Sequence, residues 1–269
     1  MRHSILALIL LAVPAAAQER LPIFDAHIHY SHDAVEQVPP KAAVEILRKA
    51  GLRRVMVSSS DDDGTQRLLA EAPDLVVPSL RPYRRRSDTA TWTNDPGIID
   101  YVETRLKKFR YRALGEFHAY GADIDKPVVQ RMLALAREYR LLLHAHSDTD
   151  GIERIFKSDP GAIVLWAHSG FEPPDRVRAM LRRYPNLWCD LAFRTDQASG
   201  DAVAPEWRAA FEEFSDRFMV GTDTFVPERW YYIEEHANFS RRWLSSLPRD
   251  LAERIAYRNA EALLAKVGQ

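Results

Sequence analysis

Two histidines lie two residues apart, at positions 27 and 29, in the segment FDAHIH (24–29). On a β-strand, side chains at positions i and i+2 point to the same side, so both imidazoles can reach one metal ion. Imidazole and carboxylate are suitable ligands for Zn²⁺ and similar divalent ions. The sequence therefore predicts a divalent-metal site with one or two ions, with zinc as the expected metal. Six residues near the ends of apolar, strand-like segments are candidate ligands: His27, His29, Glu116, His144, His168 and Asp223.

The chemistry of such a site depends on which residues also handle protons. A catalytic divalent ion keeps one position open for water and lowers the pKa of that water toward ~7. Asp223 is the candidate catalytic base, because a carboxylate can bind the ion and still accept a hydrogen bond from the water. His168 could orient the water, polarise the substrate or bind a second ion. Glu116 follows a glycine and is expected either to bind a second ion or to form a salt bridge.

Two histidines, His144 and His146, compete for one place in the site. They share strand parity, so both can point inward. His144 directly follows the apolar segment 141–143 and is expected at the depth of the metal. His146 is expected one layer higher, where substrate would bind.

Other residues expected at the rim could bind substrate. Arg81 begins a basic and aromatic loop, Arg194 follows the seventh strand-like segment, and Trp230 follows the eighth. Guanidinium groups can clamp a carboxylate or a phosphate, so these residues are consistent with a small anionic substrate. The alternative is a solvated rim whose arginines pair with nearby acids such as Asp88.

The elements that carry these residues alternate between strands and helices. Alternation of this kind indicates a parallel sheet, and eight repeats favour a single-domain (β/α)₈ TIM barrel. An open doubly wound sheet is the structural rival, but the chain has no GxGxxG turn. Barrel active sites lie at the carboxyl ends of the strands, where the candidate ligands fall. The predicted strands are 23–29, 54–59, 75–80, 113–117, 141–146, 162–167, 187–192 and 217–222, and the predicted helices are 41–50, 65–72, 97–109, 127–139, 150–157, 174–184, 205–215, 228–247 and 249–266.

The first 17 residues have the pattern of a secretory signal peptide, with an apolar segment at 5–13 and three alanines at 15–17. The barrel domain is expected at 18–269, exported to the periplasm and without a membrane span. An apolar first helix is the alternative for the N-terminal segment. The formal net charge of −1 argues against a nucleic-acid partner. The single cysteine, Cys189, is expected to be a buried structural thiol.

Taken together, these motifs resemble the amidohydrolase superfamily, and in particular the branch that includes metal-dependent decarboxylases. The resemblance covers nearly all of residues 18–269. It implies that His27, His29, His144 and Asp223 bind the metal and that His168 is a catalytic or ligand residue. Many dinuclear members carry a carboxylated lysine on strand 4, whereas this chain has Glu116 there. The motifs that carry the resemblance are DAHIH (25–29), His144, AHSG (167–170), GTD (221–223) and NAE (259–261).

Three functions are compatible with these residues. The favoured interpretation is a hydrolase that uses a metal-activated water on a small-molecule amide, ester, lactone or phosphoester. A metal-dependent decarboxylase on the same barrel would need an arginine that binds a carboxylate, and it would need no attacking water. A non-catalytic periplasmic protein that binds metal or ligand is the third interpretation. Structural metal sites are usually closed and four-coordinate, which argues against the third.

Overall fold

The computed structural model describes residues 20–268 and shows a barrel of eight parallel strands surrounded by helices. The strands follow one another around the barrel in chain order, so the predicted (β/α)₈ barrel is confirmed. The signal peptide predicted at 1–17 lies outside the described residues. The strands are β1 (Ile23–His29), β2 (Leu52–Ser58), β3 (Val76–Leu80), β4 (Ala113–His118), β5 (Leu142–His146), β6 (Val164–Trp166), β7 (Leu187–Asp190), the hairpin strands β8 (Ala198–Ser199) and β9 (Ala202–Val203), and β10 (Phe218–Met219), which is the eighth strand of the barrel.

Helices connect the barrel strands and cover the outside of the barrel. They are α1 (His32–Gln37), α2 (Pro40–Lys49), α3 (Asp63–Glu71), α4 (Gly97–Lys108), α5 (Pro127–Glu138), α6 (Thr149–Ser158), α7 (Pro174–Arg183), α8 (Pro205–Glu213), α9 (Pro227–Trp230), α10 (Ile233–Leu244), α11 (Arg249–Glu253) and α12 (Asn259–Ala265). Within the described residues, no helix is both long enough and apolar enough to span a bilayer.

The helices differ from the predicted ones in three places. Helix α1 was not predicted because Ala34 is its one buried residue, so the segment has no apolar periodicity. The helix predicted at 228–247 is divided into α9 and α10, because Tyr232 (φ −103°, ψ 5°) leaves the helical range between them. The helix predicted at 249–266 contains a π-helical turn, Arg254–Arg258, between α11 and α12.

The barrel closes through backbone hydrogen bonds between β1 and the segment that follows β10. The amide of Ala26 donates to the carbonyl of Val220 (2.9 Å), and the amide of Asp223 donates to the carbonyl of His27 (2.7 Å). The buried Asp25 carboxylate reinforces the closure, since it accepts hydrogen bonds from the amide (3.1 Å) and the hydroxyl (2.7 Å) of Thr222. Closure therefore places Asp223 directly beside the histidines of β1.

Two apolar layers stabilise the barrel. The outer layer packs between the strands and the surrounding helices, and it includes the buried Cys189 of β7. The inner layer fills the barrel below the site, where α12 covers the amino-terminal end with Leu263 and Leu264. The strand residues of this inner layer are Phe24, Ala26, Met56, Val77, Ala113, Leu142, Leu165, Trp188 and Met219.

An irregularity in β1 changes which residues face the barrel interior. The pairing of β1 with β2 shifts between Asp25 and Ile28. Ala26 belongs to the inner layer and Ile28 packs with the outer layer, yet His27 also reaches the site at the barrel mouth. The bulge therefore turns two successive side chains, Ala26 and His27, toward the barrel axis.

A similar irregularity lies in β4, where the pairing with β5 shifts between Gly115 and Phe117. Ala113 lies in the inner layer and Phe117 in the outer layer, so Glu116 can reach the site. A Cβ at Gly115 would lie 2.1 Å from the carbonyl oxygen of His144, and the backbone φ is +130°. Glycine is required at 115 because this approach leaves no room for a side chain.

Candidate metal centre

The carboxyl end of the barrel gathers eight ionisable side chains from β1 and from the ends of five other strands. All six predicted metal ligands are among them. One residue, Asp190, was not predicted as a site residue. The eight are His27 and His29 (β1), Glu116 (β4), His144 and His146 (β5), His168 (after β6), Asp190 (β7) and Asp223 (after β10).

Four donor atoms lie at the centre of this cluster. The Nε2 atoms of His27 and His29 are 3.1 Å apart. Glu116 Oε2 lies 3.5 Å and 3.1 Å from these two nitrogens, and Asp223 Oδ1 lies 3.6 Å and 3.1 Å from them. Bonds of about 2.0–2.1 Å place the ligand atoms of a tetrahedral zinc ion about 3.3 Å apart. The five separations scatter around this value, so the two histidines together with either carboxylate have the ligand spacing of one small divalent ion.

Hydrogen bonds on the far side of the β1 histidines orient the nitrogens of this central group. His27 Nδ1 lies 3.2 Å from Asp190 Oδ2, and the carboxylate can accept only if Nδ1 carries the proton. His29 Nδ1 lies 2.9 Å from the hydroxyl of Ser58. In the neutral form of His27, Nε2 therefore keeps its lone pair for an ion. Carboxylates that hold ligating histidines in this way are typical of metal sites.

His168 presents a buried nitrogen to the same space. Its Nδ1 donates to the carbonyl of Ala192 at 2.9 Å, which leaves Nε2 as the free ring nitrogen. Nε2 is buried and has no hydrogen-bond partner among the described residues. It lies 3.5 Å from Glu116 Oε1 and 3.8 Å from Asp223 Oδ2. A buried nitrogen without a partner is costly, and a cation or a proton in this cluster would satisfy it.

The charges of the cluster also favour a cation. Burial opposes ionisation of Asp223, yet the charge on His27 and the contact with His29 lower the pKa of that carboxyl to about 2. The pKa of Glu116 is likewise held well below its usual range by His27 and by the contacts with His146 and His168, against the effect of burial. Burial opposes charge on His27, but Asp223, Glu116 and Asp190 raise its pKa well above the ordinary value. Several buried carboxylates thus share this space, and a divalent cation would compensate their charge.

Asp190 positions the histidines of the site and is saturated with hydrogen bonds. Its Oδ1 accepts from the amides of His168 (2.9 Å) and Ala192 (3.0 Å). Its Oδ2 lies 3.2 Å from His27 Nδ1 and 3.0 Å from His144 Nε2. These four contacts occupy the acceptor capacity of the carboxylate, so Asp190 is placed to orient the histidine rings rather than to offer a free ligand atom. It lies inside the predicted strand 187–192, and a carboxylate in such an apolar segment is the one signal that the sequence offered for it.

The two histidines of β5 lie in different surroundings. His144 is buried, and its Nε2 contacts Asp190 rather than the central donors. Burial and the neighbouring His27 lower the pKa of His144 to about 4, so it is neutral. His146 lies nearer the mouth, with Nδ1 2.8 Å from Glu116 Oε1. His146 therefore lies beside the carboxylate of β4, whereas His144, the histidine predicted as the metal ligand, contacts Asp190.

Glu116 is surrounded by cationic and polar groups in addition to the histidines. Arg81 donates to Glu116 Oε2 at 3.0 Å and to its carbonyl oxygen at 3.2 Å. His118 Nε2 lies 4.0 Å from Glu116 Oε1, and its Nδ1 lies 3.0 Å from the hydroxyl of Tyr83. Burial lowers the pKa of His118 to about 3, so its ring is neutral. Arg81, predicted to bind substrate, thus contacts Glu116 directly.

A cavity of about 250 Å³ opens above the cluster and gives access to it. We call it the front cavity. His29, Glu116 and Asp223 form part of its floor, and His146 lines it as well. Its outer wall carries Arg86, with Ser31, Asp33, Ser60, Arg81, Thr89, His118 and Phe225 as the other lining residues. The central donors are therefore reachable by a small molecule.

The arginines of the loop after β3 are paired with acids. Arg84 and Arg85 contact the carboxylate of Asp88 at 3.0 Å and 3.3 Å. Arg86 lies 3.6 Å from Asp33 at the edge of the front cavity. These pairings correspond to the alternative considered for this loop, a rim whose arginines are partnered by nearby acids.

Two residues predicted to bind substrate lie away from the front cavity. Arg194 forms a two-pronged ion pair with Asp196 (2.8 Å and 2.6 Å) and packs over Trp207. Trp230 is fully buried against Tyr30, with ring centroids 5.0 Å apart. Neither side chain lines the front cavity. Their positions depend on the loop after β7 and on the short helix α9, whose courses the sequence did not indicate.

Comparison with known proteins identifies a family for most of the chain. The family model described as "Amidohydrolase" matches residues 24–266. A search of curated proteins gave no match.

Solved structures resemble the barrel at low sequence identity. An uncharacterised TIM-barrel protein from Bordetella bronchiseptica is 16% identical, with a TM-score of 0.60 over 93% of this chain and 100% of that one. A probable 2-pyrone-4,6-dicarboxylic acid hydrolase from Acinetobacter baumannii is 11% identical, with a TM-score of 0.55 over 90% and 99%. A TatD family hydrolase from Entamoeba histolytica is 10% identical, with a TM-score of 0.57 over 90% and 98%. At these identities the likeness establishes the fold.

Proposed function

Because the chain belongs to the amidohydrolase family, we propose that it hydrolyses an amide, ester, lactone or phosphoester bond of a small molecule, with a divalent ion held by His27, His29 and Asp223. One observation carries the proposal. The central donors have the spacing of ligands around one zinc ion, and they form the floor of a cavity open to small molecules.

The proposed ion would lower the pKa of a water molecule toward neutrality and polarise the substrate oxygen. The side chains around it would orient and move the protons. Asp223 has one oxygen toward the histidines of β1 and the other, Oδ2, 3.8 Å from His168 Nε2. Asp223 is ionised, because His27 and His29 lower the pKa of its carboxyl against burial, and its Oδ2 would take the proton of the water.

His168 is suited to receive that proton and deliver it to the leaving group. Its Nδ1 is occupied by the carbonyl of Ala192, which fixes the ring and leaves Nε2 as the acceptor. Nε2 lies between Asp223 and Glu116. In the proposed sequence, Asp223 takes a proton from the water as the water oxygen bonds to the carbonyl carbon or phosphorus of the substrate. His168 then passes that proton to the oxygen or nitrogen whose bond to the same atom breaks.

We propose one ion rather than two. The candidate group that avoids the ligands of the first ion is Glu116, His118 and His146, whose donor atoms lie within 4.8 Å of one another. The guanidinium of Arg81 lies 3.0 Å from Glu116 Oε2 and already supplies positive charge there. We therefore expect about one zinc per chain in the purified protein by elemental analysis, and two per chain would reject this assignment.

The main alternative is a decarboxylase on the same barrel, which needs an arginine free to bind a carboxylate. Arg81 is engaged by Glu116, and Arg86 lies beside Asp33. These pairings favour hydrolysis. A screen of ester, lactone, amide and phosphoester substrates would test the reaction, with CO₂ release measured in parallel. Turnover that releases CO₂ and leaves every hydrolysable bond intact would establish the alternative.

The role of Asp223 can be tested once a substrate is found. The variant Asp223→Asn should keep the fold and lose about 10²–10⁴-fold in rate per bound metal, since an amide cannot accept the water's proton. Asp33→Asn is the matched control, because Asp33 lines the front cavity but does not belong to the central donors. A normal rate per metal in Asp223→Asn would transfer the proton-accepting role to His168.

Export to the periplasm remains a proposal based on residues 1–17. It is tested by sequencing the amino terminus of protein recovered from a periplasmic extract, which should begin at Gln18. Protein retained in the cytoplasm with its first 17 residues intact would contradict it.

A further inference from the structure

A second cavity, of about 330 Å³, lies on the other side of the segment that carries Asp223. We call it the rear cavity. It is lined by the loop after β7, the segment after β10 and helix α10. The lining residues that matter here are Phe193, Gln197, Arg229, His236, Ser240 and Trp243.

The rear cavity is separate from the metal centre. The front and rear cavities share no lining residue among those that the structure describes. Gly221 and Thr222 form the wall between them, since both line the rear cavity and the next residue, Asp223, lines the front one. Gly221 packs tightly against the β1 histidine, because a Cβ added to it would lie 3.0 Å from the Cβ of His27. A molecule in the rear cavity would therefore not reach the central donors.

Arg229 gives the rear cavity a positive charge that has no direct carboxylate contact among the described residues, with Asp223 and Asp25 acting on it only from a distance. Its guanidinium donates to the carbonyl of Thr222 at 2.8 Å and lies 4.3 Å from the ring centroid of Phe193. Within residues 20–268 it forms no ion pair with a carboxylate, whereas Arg194 on the same wall is fully engaged by Asp196. A half-buried guanidinium without a carboxylate partner is costly, and an anion beside it would compensate the charge.

Four lining residues, Arg229 among them, carry a buried polar atom without a partner. These atoms are Arg229 Nε, His236 Nδ1, Trp243 Nε1 and Gln197 Oε1, none of which has a hydrogen-bond partner among the described residues. The side chains of Gln197 and Trp243 belong to residues only 3% and 1% exposed. Buried polar groups are normally satisfied, and four exceptions in the lining of one cavity indicate a place built for a polar ligand.

Part of the remaining wall is apolar. Leu191, Val220 and Phe239 line the cavity together with the rings of Phe193 and Trp243. An apolar cavity of this size with a few convergent polar groups is typical of a small-molecule site. One unpaired cation matches a monoanion better than a phosphate dianion.

We propose that the rear cavity is a second ligand site, which binds a small monocarboxylate with an apolar or aromatic body. The carboxylate lies against Arg229, with Trp243 Nε1 and the hydroxyl of Ser240 as further donors, and the apolar body packs between Phe193 and Phe239. This site is independent of the proposed hydrolysis at the metal centre.

The test is calorimetric titration of the full-length protein with benzoate, in parallel with benzamide as the neutral isostere. Benzoate should bind, and benzamide should bind at least about tenfold more weakly, since a hydrogen bond to a charged group typically contributes this much or more. Titrating both zinc-loaded and chelator-treated protein separates this site from direct binding at the metal, because rear-cavity binding should be equal in the two.

Variants locate the bound benzoate. Arg229→Met should weaken binding by about tenfold or more, Arg229→Lys should retain part of it, and Trp243→Phe should weaken it while keeping the ring. The matched control is Arg86→Met, in the wall of the front cavity, which should leave the affinity unchanged. Circular dichroism checks the fold of each variant, and Trp243→Phe decides the case if Arg229→Met does not fold. The proposal is overturned by no benzoate binding to the wild type, by binding that disappears with the metal, or by loss of binding in Arg86→Met rather than in the rear-cavity variants.

Discussion

Replacing Asp190 by asparagine should weaken metal binding although Asp190 does not bind the ion. The carboxylate contacts two backbone amides through Oδ1 and the rings of His27 and His144 through Oδ2. An amide side chain has only one acceptor oxygen, and its NH₂ group must face N–H donors on one side. The NH₂ group would then clash with the N–H of His27 unless the proton of His27 moves from Nδ1 to Nε2. That change removes the lone pair that faces the metal site.

The size of the effect follows from this exchange. Loss of one hydrogen bond to a charged group costs about 1.5–3 kcal/mol, which is a factor of about 10 to 150 in affinity. Partners of ligating histidines typically contribute about 10- to 100-fold to metal affinity. We therefore expect zinc to bind Asp190→Asn about 10- to 100-fold more weakly than the wild type.

A competition titration against a chromophoric zinc chelator measures this difference. The matched control is Asp196→Asn in the loop after β7, where the carboxylate pairs with Arg194 and does not touch the cluster. Its zinc affinity should equal that of the wild type. Wild-type affinity in a folded Asp190→Asn variant, or an equal loss in both variants, would refute the positioning role.

Further changes should give distinct results. The double variant His27→Ala/His29→Ala should lose its metal, and full metal content by elemental analysis would show that the ligands are elsewhere. Glu116→Gln should fold with a normal circular dichroism spectrum but lose metal occupancy or rate; a crystal structure with the side chain facing away from the cluster would exclude this role. Because Asp223, Glu116 and Asp190 raise the pKa of His27 against burial, an ion must displace a proton at neutral pH. Zinc affinity should thus rise by up to about tenfold per pH unit between about pH 6 and pH 8, and chelator competition that gives a flat profile would contradict this. Leu165→Ala in the inner layer should lower the free energy of unfolding by about 2–5 kcal/mol in urea titrations, and a change within error would show that this layer is loosely packed.

The barrel and the central cluster could be predicted because their signals are local. Alternating strands and helices specify the fold class, and histidines such as His27 and His29 at strand ends fall together once the barrel closes. The shift in β1 that turns both Ala26 and His27 toward the axis had no recognisable sequence signal. The corresponding shift in β4 requires the glycine at 115. The sequence alone does not reveal this requirement, because it arises from the nearby carbonyl of His144.

The rest of the site depends on contacts between distant segments. Asp190 is the last residue of β7 in the structure, but the predicted strand continued to residue 192. A lone aspartate inside such a strand has no second ligand-type residue at i+2 to mark it as part of a site. Arg194 and Trp230 were expected at the mouth because they follow strands. The loop after β7 folds back to pair Arg194 with Asp196, and α9 buries Trp230 under the outer layer. Side-chain direction in such loops is decided by tertiary packing rather than by local sequence.

Anomalous scattering at the zinc edge, from crystals of the full-length protein grown with zinc, tests the assignment of the metal centre most directly. A single strong peak should lie among His27 Nε2, His29 Nε2 and Asp223 Oδ1, at about 2.0–2.2 Å from each of them. The absence of a peak among these atoms, or a peak found only at another place in the protein, would contradict the metal centre and the hydrolysis proposed for it.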